Sequence, residues 1–382
     1  MITAIVTIVM FLVMVSLHEF GHYIVARILD FKILEYAIGF GPAIFKKEKN
    51  SILYSIRVIP FGGYCKFEGE DEESTDPRAF SNRPVWRRIL VVAAGGVFNI
   101  ILGFVLFAAM MPSLSPVLTN EVASVVENSY LQDAGVMSGD KIIEINGKNI
   151  DFYNDISLYT STLSGDEKID LTIKRDGKKL KLDIMPSQQK VIYNYLDEGV
   201  EYISSINGEE EKKLIPYSDK LQKQNDLIGK SETQTRYIIG FTPAQQEITA
   251  LNILPNAWNN TKFVVKLVYT SLWDMVTGKV GMEQMSGPVG IVNEVNNAVS
   301  QGDDSWLYVL NLMALLTINL GVFNLLPFPA LDGGRLFFMI VELIRRKPIP
   351  PEKEGFVHAI GMLLLFGLII FISFSDIMKL IG

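Results

Sequence analysis

The chain has 382 residues, 49% of them hydrophobic and 20% charged, with a formal net charge of −7. That size holds a membrane-embedded portion plus one small further domain, and the apolar content argues against a wholly soluble protein. The acidic balance excludes the basic stripe of a nucleic-acid binder, and Cys65, the single cysteine, excludes a disulfide framework or a cysteine-built metal cluster.

Residues 1–28 form the first apolar run, and a bilayer span needs about 20 such residues, so a transmembrane helix is predicted. The run lacks the basic start and small-residue cleavage site of a signal peptide and is expected to be retained. His18, Glu19 and His22 interrupt it. Histidines at i and i+4 share one helix face, where their ring nitrogens converge on a single ion. Glu19 points elsewhere and is placed as the general base that a water-activating zinc site needs. The chain contains only 3 histidines, and an ionisable cluster inside hydrocarbon is costly enough to mark a functional site.

Residues 29–87 alternate apolar and polar side chains between Gly/Pro breaks, as in Ile52-Leu53-Tyr54-Ser55-Ile56-Arg57-Val58-Ile59-Pro60. This pattern predicts a cytoplasmic or re-entrant β-hairpin followed by a polar loop, and the hairpin's free edge is expected to take an extended peptide by strand addition. Residues 88–112 predict the second transmembrane helix, in which Ala93-Ala94-Gly95-Gly96 allow close helix approach and Asn99 is a polar side chain able to bond across the bundle, with packing the expected role of all of them.

Residues 119–187 carry short β-rich runs joined by Asn146-Gly147 and Asp176-Gly177, both hairpin-type turns. Within them Asp133-Ala134-Gly135-Val136-Met137-Ser138-Gly139-Asp140-Lys141-Ile142 resembles a segment of bacterial PDZ domains, which implies a module that captures a peptide end or limits access. Residues 188–250 are read as a polar, charge-rich mobile linker or irregular insertion, with one strand near Tyr237-Ile238-Ile239-Gly240-Phe241. Residues 251–300 predict an aromatic amphipathic helix region lying on the membrane surface. Residues 305–335 predict the third span, broken by Pro327 and Pro329 and ending in Asp332-Gly333-Gly334. Because a catalytic zinc commonly holds three protein ligands, Asp332 is a candidate for the third, although Asp-Gly-Gly by itself is a common turn. Residues 355–376 predict the fourth span, at whose start His358 is expected to snorkel to the interface.

Lys and Arg concentrate in residues 27–88 and 335–353, which places these loops in the cytoplasm and the termini and central segment outside. Residues 113–305 carry 18 Lys plus Arg against 27 Asp plus Glu, a net of −9, in keeping with a solvated central region.

His18-Glu19-Phe20-Gly21-His22 near one end and Asn324-Leu325-Leu326-Pro327-Phe328-Pro329-Ala330-Leu331-Asp332-Gly333-Gly334 near the other, with the PDZ-like segment between, resemble the site-2 protease family of intramembrane zinc metalloproteases. Gly39-Phe40-Gly41, Phe61-Gly62-Gly63-Tyr64 and Ser286-Gly287-Pro288-Val289-Gly290 point to its RseP/RasP-like subgroup, here with a single PDZ-like domain where the better-known proteobacterial members carry two. The resemblance implies a polytopic α-helical protein of about four transmembrane helices, with a membrane-associated β-hairpin and one extracytoplasmic PDZ-like α/β domain, in a bacterial cell membrane. It implies Zn2+ on His18, His22 and Asp332, Glu19 as catalytic base, and Asn324 at the substrate backbone. The expected activity is endopeptidase cleavage of transmembrane segments of single-pass membrane proteins, such as anti-sigma factors or remnant signal peptides. The alternatives are a non-proteolytic metal-binding scaffold, which has no use for Glu19, and a zinc transporter, which needs more polar residues along a path than the other spans supply.

Overall fold

A computed structural model describes residues 2–70, 74–160, 163, 165, 167–217, 227–279, 281, 287–302, 305–347 and 349–381. The chain divides into two compact units, Met1–Met111 with Ile253–Gly382 and Pro112–Asn252. Among the described residues four helices are long and apolar enough to cross a membrane. In chain order the first unit opens with α1 (Ile2–Ile28), β1 (Ile33–Lys49), β2 (Ile52–Phe67) and α2 (Val85–Met110). The second unit contains β3 (Val117–Val125), α3 (Tyr130–Asp133), β4 (Lys141–Ile145), β5 (Lys148–Asn149), α4 (Tyr153–Thr160), β6 (Ile169–Arg175), β7 (Lys178–Ile184), β8 (Ser187–Tyr195), β9 (Gly199–Ile206), β10 (Glu209–Pro216), β11 (Ser231–Ile238) and β12 (Phe241–Gln246). The first unit then resumes with α5 (Ile253–Val276), α6 (Pro288–Val299), α7 (Ser305–Leu325), α8 (Asp332–Arg345) and α9 (Pro351–Ile381).

The membrane helices meet along narrow stripes. In α1 the buried residues are Thr7, Met10, Met14, His18, Gly21, His22, Tyr23 and Ala26, a spacing of three and four that lines one helix face. The opposite face keeps Ile5, Val9, Val13 and Phe20 exposed, as suits contact with lipid. Helices α2 and α7 approach closely through small residues: a Cβ on Gly321 would stand 2.5 Å from the Gly96 carbonyl oxygen. Such contacts replace the hydrophobic drive that is lost in lipid. Tyr23, Ala26, Phe31, Ile33, Cys65, Phe67, Phe80, Val91, Leu336 and Met339 form a core joining the end of α1, the hairpin, the start of α2 and α8. Arg88 donates to Glu342 at 2.7 Å and fastens α2 to α8.

The hairpin is more folded on itself than the sequence suggests. Asn50 and Ser51, both at positive φ, turn β1 into β2, and β1 pairs with β2 twice over: Tyr36 faces Tyr54 on one side and Cys65 on the other, while Lys47 also faces Tyr54. The segment order across the sheet is therefore 43–49, 52–57, 33–38 and 63–67, with 63–67 at one edge.

Three readings of the sequence are corrected. Residues 188–250 are not simply a linker with one strand, because β8 to β11 form an antiparallel sheet in the order β10-β9-β8-β11. Asn207 and Gly208, both at positive φ, make the β9–β10 turn, and every residue of β10 is exposed, so its charged run reflects an edge strand. Residues 218–226 of that stretch, and Ser286 of the Ser-Gly-Pro-Val-Gly motif, lie outside the described residues. The third span does not run to 335; α7 stops at Leu325 and α8 begins afresh at Asp332, since Pro327 and Pro329 cannot continue a helix. His358 does not simply snorkel: its Nδ1 accepts the Ala330 N–H at 3.0 Å.

In the second unit β12 supplies the edge of a sheet ordered β12-β3-β4-β6-β7, with β5 paired to β4. Asn146-Gly147 and Asp176-Gly177 both adopt positive φ, the geometry of tight hairpins. Buried Asp140 receives Arg175 in two bonds, Nε to Oδ1 at 2.7 Å and Nη2 to Oδ2 at 2.6 Å, and accepts the Met137 N–H at 2.9 Å. The Arg175 hydrogen bonds hold the Asp140 carboxyl below its ordinary range against the opposing effect of burial. A depressed carboxylate stabilises the fold above its unfolded pKa and loses that contribution as pH falls through the folded value. The thermal stability of the second unit within the full chain should therefore fall on acidification below about pH 4. Asp140→Ala should cost about 3 kcal/mol at neutral pH and flatten that acid dependence; an unchanged acid profile in Asp140→Ala would count against the pair.

Candidate metal centre

A spacing of about one helical turn in α1 places His18 and His22 side by side, and the start of α8 brings Asp332 to them. His18 Nε2 and His22 Nε2 lie 3.2 Å apart; Asp332 Oδ2 lies 3.1 Å from the first and 3.3 Å from the second. Ligands about 2.0–2.1 Å from a tetrahedral zinc stand about 3.3–3.4 Å from one another, so these three edges have the size that such an ion requires. Oδ2 of Asp332 is buried without a hydrogen-bond partner. Two imidazole lone pairs and a carboxylate oxygen at this separation repel unless a cation lies between them. Among the described residues this is the group of His, Cys, Asp and Glu side chains able to hold a metal, and it fits zinc.

Helix α2 makes room for the cluster and orients it. His22 Nδ1 lies 2.8 Å from the Val91 carbonyl; a carbonyl only accepts, so Nδ1 carries the proton and Nε2 offers its lone pair to the ion. One turn on, Gly95 leaves the space that the rings occupy: a Cβ there would stand 2.6 Å from His22 Cε1 and 2.7 Å from His18 Cε1. Gly95→Val is expected to splay the two rings and lower zinc affinity at least tenfold, within the range for perturbed ligand support. Chelator competition on the purified protein checks this, and undiminished affinity would show that α2 yields to the added side chain. Gly333 has a comparable role beside Asp332, since a Cβ there would overlap the Leu326 carbonyl just past the end of α7.

Glu19 shares with these three a cavity of about 430 Å3, whose other walls include Tyr64, Cys65, Phe67, Glu70 and Arg335. The sheet edge 63–67 thus passes beside Glu19, and a Cβ on Gly63 would stand 3.0 Å from Glu19 Cγ. Burial pushes the Cys65 thiol up, with the charges of Glu19 and Glu70 adding to it, and Cys65 is not part of the convergent group of His18, His22 and Asp332. Arg335 pairs with Glu70, and both also line a neighbouring cavity of about 970 Å3 with Arg88, Glu342, Glu354 and His358.

Of the residues singled out in the sequence, His18, Glu19, His22 and Asp332 are therefore brought together. Asn324 lies half-buried in the last turn of α7 and is not among the residues lining the smaller cavity. Sequence reasoning did not connect Val91, Gly95, Asn99 or His358 with the site, although His22 Nδ1 faces the Val91 carbonyl, Gly95 leaves the rings their space, Asn99 Nδ2 lies 3.3 Å from His18 Nδ1 and His358 holds the Ala330 N–H. Their spacing gives no hint of which helix they face, although Val91, Gly95 and Asn99 at i, i+4 and i+8 do share a face.

The model of peptidase family M50 matches residues 6–368. A proposed zinc metalloprotease of Clostridium acetobutylicum is 33% identical over 98% of this chain and 96% of its own length. The regulator of sigma-W protease RasP of Bacillus subtilis is 28% identical over 99% of both chains, and the zinc metalloprotease RasP of Bacillus licheniformis is likewise 28% identical over 99% of both.

Proposed function

The chain belongs to peptidase family M50 and is a membrane-embedded zinc metalloprotease of the site-2 type, and on that premise we propose that it cuts a peptide bond inside, or at the cytoplasmic margin of, a transmembrane segment of a single-pass protein. The observation that carries this reading is the convergence of His18, His22 and Asp332 in one cavity with Glu19, between helices long and apolar enough to cross a membrane. His18, His22 and Asp332 would hold zinc, which when bound supplies Lewis acidity and lowers the pKa of a water. Glu19 removes the proton of the attacking water and returns it to the departing amine.

A helical substrate hides its amides, so the bond must first be drawn out of the helix. The edge 63–67, at the cavity wall beside Glu19, is placed to pair with such an extended strand. Asn324 is assigned to the substrate backbone on the resemblance alone. The second unit is read as a PDZ-like module: β12 ends its sheet, and a cavity of about 670 Å3 separates Gly240 and Phe241 from Tyr153, Ile156 and Thr160 of α4, a groove suited to a peptide end. The RasP name of the Bacillus subtilis relative favours substrates that restrain a sigma factor; remnant signal peptides present the same single-span chemistry.

The test is cleavage, by the purified protein in liposomes, of single-pass substrates trimmed to a short outer stub. Cleavage within the span that a chelator abolishes and zinc restores supports the reading. Retained zinc without cleavage of several such substrates would move a scaffold or a zinc transporter ahead of it.

A further inference from the structure

Both ligand histidines need a defined tautomer, and for one of them the partner is not yet fixed. His18 Nδ1 faces the side chain of Asn99, whose Nδ2 lies 3.3 Å away. Asn99 is fully buried, and its Oδ1 has no hydrogen-bond partner. A neutral imidazole that offers Nε2 to a metal carries its proton on Nδ1, and two N–H groups cannot bond to each other. The carboxamide atoms exchange places by rotation about the terminal bond, which turns the oxygen toward His18 and gives Nδ1–H an acceptor.

We propose that Asn99 is a positioning residue whose carboxamide oxygen accepts the Nδ1–H of His18, fixing the ring with Nε2 toward the metal. The proposal rests on His18 being a zinc ligand. Helix α2 then supplies both orienting acceptors from one face, the Val91 carbonyl to His22 and Asn99 to His18, with Gly95 leaving the gap between. Its own anchor is α7, where Thr317 Oγ1 donates to the Asn99 carbonyl at 3.3 Å.

The full chain, loaded with zinc and 15N-labelled at histidine, provides the test, and only 3 histidines contribute signals. Two rings should show metal-shifted Nε2 together with a protonated Nδ1. A zinc-bound ring without a proton on Nδ1 overturns the proposal and leaves the ligand set standing. Fewer than two metal-shifted rings instead overturns the ligand set. In chelator competition, Asn99→Leu should weaken zinc binding about 10- to 100-fold, whereas Asn99→Asp, still an acceptor, should bind zinc as wild type does. Equal losses in both variants, or no loss in Asn99→Leu, overturn the acceptor role. Should neither variant fold, the wild-type spectrum still decides the acceptor role: a His18 Nδ1–H proton shifted downfield like that of His22, whose acceptor is the Val91 carbonyl, supports it, and an upfield, unbonded His18 Nδ1–H overturns it.

Discussion

Glu19→Gln is expected to abolish turnover while the protein keeps its zinc. Glutamine has the same shape and fits the narrow space beside Gly63, so the cavity and the cluster of His18, His22 and Asp332 are left as they are. What disappears is the group able to take a proton from water and give it to the amine. General acid–base catalysis contributes about 10²- to 10⁴-fold, and a peptide bond with an unprotonated amine as leaving group sits at the demanding end of that range. The measurement is a single-turnover cleavage assay beside a metal count on the same preparation. Cleavage within tenfold of wild type would remove Glu19 from the proton path, and loss of zinc would make it a ligand.

Asp332→Ala should have the opposite signature, with loss of the metal first and of activity as its result. The substitution takes away the only anionic donor of the three and leaves His18 Nε2 and His22 Nε2 facing each other at 3.2 Å. Removing a ligand exceeds the 10- to 100-fold effect of disturbing a ligand's supporting partner, so affinity should fall at least about a hundredfold. Alanine is a good helix former at the start of α8, and Leu336 and Met339 still bury that helix in the core, so the fold should persist. A metal-replete, active Asp332→Ala would refute the ligand assignment.

What could be read from the sequence followed the range of the interactions involved. His18 and His22 were legible because helix periodicity alone sets them on one face. The two turns at Asn146-Gly147 and Asp176-Gly177 were legible because their backbone angles are written into the residue types. Asp332 lies a whole domain away from His22 in the chain; its own Asp-Gly-Gly context reads as a common turn, and only the family resemblance raised it above that. The β8 to β11 sheet was missed although Asn207-Gly208 marks one of its turns, since β10 exposes its Glu and Lys side chains and so looks like solvated coil. Asn99 was legible as a polar side chain able to bond across the bundle, but the sequence carries no record that it approaches His18 or that His358 reaches the Ala330 N–H. Where the third span breaks was visible in Pro327 and Pro329, but the fresh helix after it was not.

If the substrate pairs with segment 63–67 as proposed, the place of that segment at the edge of its sheet would set what this protease discriminates. An edge offers main-chain groups, which are the same in every substrate, and it pairs only with a chain already extended. Under strand addition the choice among membrane proteins falls less on the residues flanking the cut than on the ease with which a span unravels. Glycine, proline or a polar side chain near the bond would mark a substrate by its frailty as a helix.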